Sequence, residues 1–225
     1  MQVNLLAHTP EPIRVLWVAA RTCYSPLTPQ ELWDGYPIAS MRDMDGPGKV
    51  IKLLRSLWER GHYSVFEHVS LTYAVSGVSR VLLAQYSRHR IGVSLSVQSQ
   101  RHVKVDVIPE TLVLIPDSVW NRDDPEAEEV FARAVEACYS AYHRLVELGV
   151  PLEDARFVLP QGIETNFVTT VNLRSLMDVY CKRVLEPGAQ WEIRDLVRRM
   201  VELAVETIPE LREIIPEVAD NARDA

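Results

Sequence analysis

Arg88, His89, Arg90, Arg101 and His102 crowd into the run RHRIGVSLSVQSQRH, with Ser94, Ser96 and Ser99 inside it and Lys104 just beyond. No Asp or Glu occurs from His68 to Val105, where an even spread of the 31 acids over 225 residues would place about five. Guanidinium forks, hydroxyls and backbone N–H groups without carboxylates suit a phosphate ester, because a nearby acid competes for the same donors. Gln85 lies one helical turn before Arg88, so its carboxamide and that guanidinium can face one ligand. Cations closing a helix also offset its negative end by about 0.3–1 kcal/mol. That local role leaves Arg101 and Lys104 without an account, so an anion site is the expectation.

Ser99 raises the question of a nucleophile, which needs a base within hydrogen-bond reach, such as His89 or His102. No GxSxG surrounds it, so a phosphate-binding or structural hydroxyl is expected. In GHYSVFEH (61–68), His62, Glu67 and His68 are metal-ligand types. Their spacing is not HExxH and no further His or Cys cluster completes a shell, so no metal is expected. Ser64 also reads as a cap for a short helix, with Glu67 completing a capping box. A third segment, 149–183, places Arg156, Asn172 and Arg174 at junctions between elements and Arg183 at a helix end. GPGK (46–49) lacks two residues of a P-loop and GxGxxG is absent, so a Rossmann site is not expected.

A net charge of −7 argues against broad binding to duplex nucleic acid, which needs a basic face. A basic pocket inside an acidic protein suits a small anionic ligand better. With 47% apolar and 24% charged residues the chain reads as soluble and globular. No apolar run spans a bilayer and MQVNLLAHTPEP is not a secretion signal, so a cytoplasmic protein without membrane contact is expected. Cys23, Cys138 and Cys181 are odd in number and widely spaced, which predicts reduced thiols.

Positioning these groups requires a frame. Periodicity predicts strands over 3–8, 69–78, 103–115 (broken at Pro109) and 163–173. Helices are predicted over 10–23, 50–60, 79–90 with Ser79 as cap, 126–148, and a short one from Pro151. Ser175 and Gln190 should open two more. The apolar stripe of 126–148 comprises Val130, Phe131, Ala134, Val135, Cys138, Tyr142 and Leu145. Segment 25–49, rich in Pro and Gly, reads as a loop with at most a broken helix near Leu32 and Trp33. With no repeat and no boundary, residues 1–225 are expected to form one α+β domain, mostly helical with a small antiparallel sheet.

RHRIGVSLSVQSQR closely resembles the signature of the flavin-dependent thymidylate synthases: Arg-His-Arg, seven or eight residues, then Ser-x-Arg. AARTCYS (19–25), GHYSVFEH (61–68), the segments ARFVLP and TNFVTTVNLRSLMDVYCKR within 155–183, and AQWEIR (189–194) resemble further family segments in the same order. The resemblance implies a homotetramer with active sites assembled from several subunits, and FAD held by a non-Rossmann fold. The implied reaction is reductive methylation of dUMP to dTMP, with methylenetetrahydrofolate as carbon donor and NADPH as reductant.

By position, Ser64, Arg88, His89, Arg90, Asn172 and Arg174 resemble the FAD contacts. Gln85, Arg88, Ser99, Gln100, Arg101, Arg156 and Arg183 resemble the dUMP site. Arg183 resembles the catalytic arginine that lies against the uracil, and no enzyme nucleophile is implied. Cys23, Val65, His102 and Asp178 depart from the family's usual Ser, Pro, Tyr, and Asn or His. Two other functions fit the bare residues: a nucleotide- or RNA-binding module without catalysis, and a metal phosphohydrolase built on His62, Glu67 and His68.

Overall fold

The computed structural model describes residues 1–36, 47–105, 113–122 and 125–219. Strands β1 (Gln2–His8), β2 (Ser70–Ser79), β3 (Val93–Val97) and β4 (Glu164–Asn172) form one sheet in the order β1-β2-β4-β3. Pairing fixes their directions. Leu173 N–H donates to Val69 at 2.8 Å and Arg80 N–H to Ile163 at 3.1 Å, so numbers rise on one strand as they fall on the other. Asn172 N–H to Gly92 at 3.0 Å and Gln98 N–H to Asn166 at 2.9 Å make β3 antiparallel to β4 as well. The sheet is antiparallel and small within a mostly helical chain, as the sequence predicts. Thr72 and Thr170 add a cross-strand hydroxyl bond of 2.9 Å.

The principal helices are α1 (Pro12–Thr22), α2 (Pro29–Asp34), α3 (Pro47–Glu59), α4 (Arg80–Tyr86), α5 (Pro125–Glu147), α6 (Leu173–Tyr180) and α7 (Trp191–Thr207). The chain gathers into two compact units. The first takes in Met1–Gln2, Val75–Arg88 and Leu95–Val168; the second takes in Val3–Ala74, His89–Ser94 and Thr169–Ala225. In the first unit Val135 and Tyr142 of α5 pack on Val105, Val113, Ala155 and Ile163. There Tyr86, closing α4, stacks on Phe167 with centroids 5.4 Å apart.

In the second unit Leu16 and Trp17 of α1 are buried, as are Leu54 and Trp58 of α3, Leu176 and Met177 of α6, and Leu196 and Met200 of α7. The Tyr73 hydroxyl donates to the Met200 carbonyl at 2.9 Å, satisfying a polar tip that would otherwise be stranded in apolar surroundings.

Several boundaries differ from expectation. The helix predicted to reach Arg90 stops at Tyr86, because the chain must turn through Gly92 (φ 63°) to pair β3 with β4. Of the strand predicted over 103–115, residues 106–112 lie outside the described residues, and the described remainder forms no strand beyond a bridge between Val113 and Ile163. The strand in this region is β3. Segment 25–49 contains α2, opened by a capping box in which Thr28 accepts from Glu31 N–H and the Glu31 carboxylate accepts from Thr28 N–H. Residues 37–46 of the loop expected there lie outside the described residues.

Ser64 is not a cap. It sits inside a 3-10 turn, Tyr63–His68, which His62 precedes without a side-chain cap bond. Asn172 rather than Ser175 caps α6, its Oδ1 accepting from Ser175 N–H at 2.8 Å. The α5 stripe is narrower than predicted, since Val130 and Ala134 are exposed.

Ser79 is the cap the sequence predicts, with its Oγ accepting from Leu82 N–H at 3.0 Å. Ser79→Ala should lower unfolding free energy by about 1–2 kcal/mol, the usual effect of a lost cap. A denaturant titration with an unchanged midpoint would contradict this.

Candidate active site

In the second unit, α6 does not end cleanly. After Tyr180 it widens into a π-turn, Cys181–Leu185, closed by a 2.8 Å bond from Glu186 N–H to the Cys181 carbonyl. The wider turn re-aims Lys182 and Arg183 relative to a regular helix, as π-turns at functional sites often do. The half-buried Arg183 donates from Nε to His89 Nε2 at 3.0 Å. Among the described residues its two terminal NH2 groups have no partner.

The sequence thus places two predicted site residues 94 positions apart, and the fold joins them directly.

In the same unit, Asn172 uses its carbonyl as cap and keeps its amide N–H groups for another acceptor. Gly92 lies against it. A Cβ there would sit 2.8 Å from Asn172 Cγ and closer still to Asn172 Nδ2 and Ser175 Oγ. Arg174 forms an ion pair with Glu67, so this arginine is not as unneutralised as its sequence surroundings suggest. Its guanidinium also lies 6.0 Å from the Tyr63 ring centroid. Ser64 and Arg90 are exposed, and among the described residues their side chains have no partner.

Asp178, the acid at a position often Asn or His in the resembling family, is paired with Lys182 at 2.8 Å. Burial pushes the Cys181 thiol up from its ordinary value, helped by the Glu217, Asp178 and Glu186 carboxylates. It is therefore protonated at neutral pH and a poor nucleophile.

In the first unit, α4 carries the half-buried Gln85, and Arg88 follows two residues beyond the helix with an exposed, unpartnered guanidinium among the described residues. Asn166 clamps the other flank of the motif. Its Oδ1 accepts from Gly77 N–H at 3.0 Å and its Nδ2 donates to Gln98 Oε1 at 2.7 Å. This fixes the turn at Ser99, whose Oγ accepts from Arg101 N–H at 3.2 Å. No histidine is bonded to that hydroxyl among the described residues, so nothing activates it as a nucleophile.

Next to it, Gln100 Nε2 is buried and, among the described residues, has no hydrogen-bond partner. An orphaned donor of this kind requires an acceptor, and a ligand is the natural source. Ser99 and Gln100 line a cavity of 220 Å³ with Gln98, Lys104 and Asn166. A larger cavity of 520 Å³ in the same unit, lined by Val113, Trp120, Phe131 and Val135, holds no cation and no predicted site residue. It is unsuited to a phosphate.

Arg101 is not free of acids in space. Glu153 bridges to it at 2.7 Å, and both side chains are about half exposed. An exposed pair of this kind is worth about 0–1 kcal/mol, so a dianionic phosphate can displace the carboxylate. Arg156, half-buried, donates from Nε to the Glu153 carbonyl at 3.0 Å. Burial, and then the Arg156 guanidinium, pull Arg80 below its usual value, so two like charges stand near one another.

Glu153, Asn166 and Arg80 are site neighbours that motif reading missed. Their partners lie far away in sequence, and only the Arg-rich bias of the region hints at them. Among the described residues no three His, Cys, Asp or Glu side chains gather as a metal shell, and Glu67 is engaged by Arg174.

Residues 4–210 match the family described as Thymidylate synthase complementing protein. The flavin-dependent thymidylate synthase of Geobacter sulfurreducens is 39% identical over 211 residues, covering 93% of this chain and 84% of that protein. The enzyme of the same name from Haloarcula marismortui is 39% identical over 237 residues, covering 95% and 94%.

Among solved structures, ThyX of Helicobacter pylori, complexed with FAD and dUMP, superposes with a TM-score of 0.65 at 23% identity, covering 90% of this chain and 93% of that one. The UMP/dUMP methylase PolB of Streptomyces cacaoi, bound to 5-Br dUMP, gives 0.70 at 24% identity, covering 91% and 90%. At those identities the structures establish the fold, whereas the family match and the relatives establish kinship. The chain belongs to the flavin-dependent thymidylate synthase family.

Proposed function

We propose that this protein catalyses reductive methylation of dUMP to dTMP, with 5,10-methylenetetrahydrofolate giving the carbon and NADPH the reducing equivalents through FAD. The observation that carries this reading is Arg183: its Nε is anchored and its two NH2 groups are left for a ligand. A guanidinium presented to the uracil edge stabilises negative charge developing on the ring as its C5 attacks the one-carbon unit, worth several kcal/mol. Cys181 is protonated and Ser99 has no base, which supports a mechanism without an enzyme nucleophile.

Gln85, Arg88, Ser99, Gln100, Arg101, Arg156 and Arg183 hold dUMP in this scheme. The orphaned Gln100 amide donates to a nucleotide acceptor, and Arg101 exchanges Glu153 for phosphate. Ser64, Arg88, Arg90, Asn172 and Arg174 hold FAD, while His89, which the resemblance also places there, is engaged by Arg183 in the fold. In the second unit Arg90, unpartnered among the described residues, and the Asn172 amide offer donors that suit a pyrophosphate and a flavin carbonyl, and in the first unit the Arg88 guanidinium offers another. FAD, when bound, supplies the hydride chemistry, while these side chains bind and align.

The rest of the reading is a single thymidylate synthase domain over 1–225, assembled as a homotetramer in the cytoplasm without a Rossmann fold. No described helix is long and apolar enough to cross a membrane.

Absorbance tests the reading. Protein loaded with FAD should be yellow and should bleach with NADPH in the presence of dUMP; protein that takes up no flavin would overturn it. Ser99→Ala should lower turnover yet leave it measurable, by roughly 10–100-fold for one lost ligand hydrogen bond to a charged group. Complete loss, with dUMP affinity intact, would restore a nucleophilic role.

A further inference from the structure

We infer that His89 is the positioning residue for Arg183, an assignment that rests on the proposed role of Arg183. An arginine Nε–H can only donate, so the 3.0 Å bond requires His89 Nε2 to accept. His89 is then neutral in this arrangement, with its proton on Nδ1. Arg183 gains a fixed guanidinium plane. Its stem leaves a π-turn, whose geometry alone would permit several rotamers, and one bond at Nε selects among them.

That bond uses the one nitrogen that does not belong to the terminal fork. The two NH2 groups therefore stay available for a planar, two-acceptor edge such as a uracil carbonyl beside a deprotonated ring nitrogen. A carboxylate in place of His89 would orient the arginine equally well, but it would neutralise the charge that Arg183 brings to the ring. A neutral imidazole orients without neutralising.

The surrounding construction holds His89 in register. Gly92, three residues later, turns at φ 63° and its carbonyl accepts from Asn172 N–H at 3.0 Å. The same stretch is thereby tied to the start of α6, the helix whose continuation carries Arg183.

The test is a double-mutant cycle on FAD-loaded protein, read by single-turnover dTMP formation, FAD content and the dUMP dissociation constant. His89→Leu should slow turnover about 100-fold, the scale of a misplaced catalytic group, with FAD content near one per chain and dUMP affinity changed less than the rate. His89→Gln, which keeps an acceptor at similar reach, should recover most of the rate. Adding His89→Leu to Arg183→Ala should give no further loss, because the histidine acts through the arginine.

Additive losses, or loss of FAD in proportion to the rate, would overturn the inference by placing His89 on the flavin instead. Failure of His89→Gln to rescue, with FAD retained, would overturn it as well. Near-normal turnover of Arg183→Ala alone is a separate outcome: it sinks the role of Arg183 and leaves the histidine nothing to position.

Discussion

Arg183→Ala is expected to cut dTMP formation by about 10³-fold or more, the scale for removing a preorganised donor from a developing negative charge. FAD should remain bound, because no cofactor role falls on this side chain. The effect is large because among the described residues Arg183 is engaged only through Nε, so its terminal nitrogens are committed to nothing but a ligand. The π-turn that carries it is closed by backbone, through Glu186 N–H and the Cys181 carbonyl, so the substitution should not unwind the helix end. A rate within about tenfold of the parent would be less than one charged hydrogen bond is worth, and would remove Arg183 from the mechanism.

Gly92→Ala should damage both stability and cofactor binding. The backbone at φ 63° disfavours any residue with a Cβ by about 1–2 kcal/mol. The added carbon would also stand 2.8 Å from Asn172 Cγ and nearer to Asn172 Nδ2 and Ser175 Oγ, so the cap of α6 must move. Losing that cap costs about 1 kcal/mol more. Together this corresponds to a fall in Tm of roughly 4–12 °C for a protein of this size. FAD content should drop with it, because Asn172 is both the cap and a proposed cofactor contact. A variant with parental Tm and full flavin would contradict the close approach.

Much of the site was legible as residue types and little of it as geometry. The acid-free stretch from His68 to Val105 contains the proposed ligand contacts Gln85, Arg88 and Ser99. Yet freedom from acids along the chain is not freedom in space: Glu153 reaches Arg101 and Glu67 reaches Arg174. β3 was not predicted, although Val93, Leu95 and Val97 alternate with Ser94 and Ser96 in a plain period-two signal. The capping box at Thr28 and Glu31 was equally visible, hidden by the surrounding prolines and glycines.

Other features leave no local trace. The π-turn at Cys181 arises within an apolar helix pattern that reads as regular, and the early end of α4 is imposed by pairing of β3 with β4. The contact of His89 with Arg183 spans 94 residues, beyond the reach of any periodicity.

The central claim is that arginines from separated segments hold dUMP and activate its ring for methylation without an enzyme nucleophile. The most direct measurement is product formation: FAD-loaded protein incubated with dUMP, 5,10-methylenetetrahydrofolate and NADPH, with dTMP quantified by chromatography. The account predicts dTMP that depends on every component and survives thiol alkylation at an unchanged level. Protein that binds FAD and dUMP yet forms no dTMP, or whose dTMP formation stops when a cysteine is blocked, would contradict it.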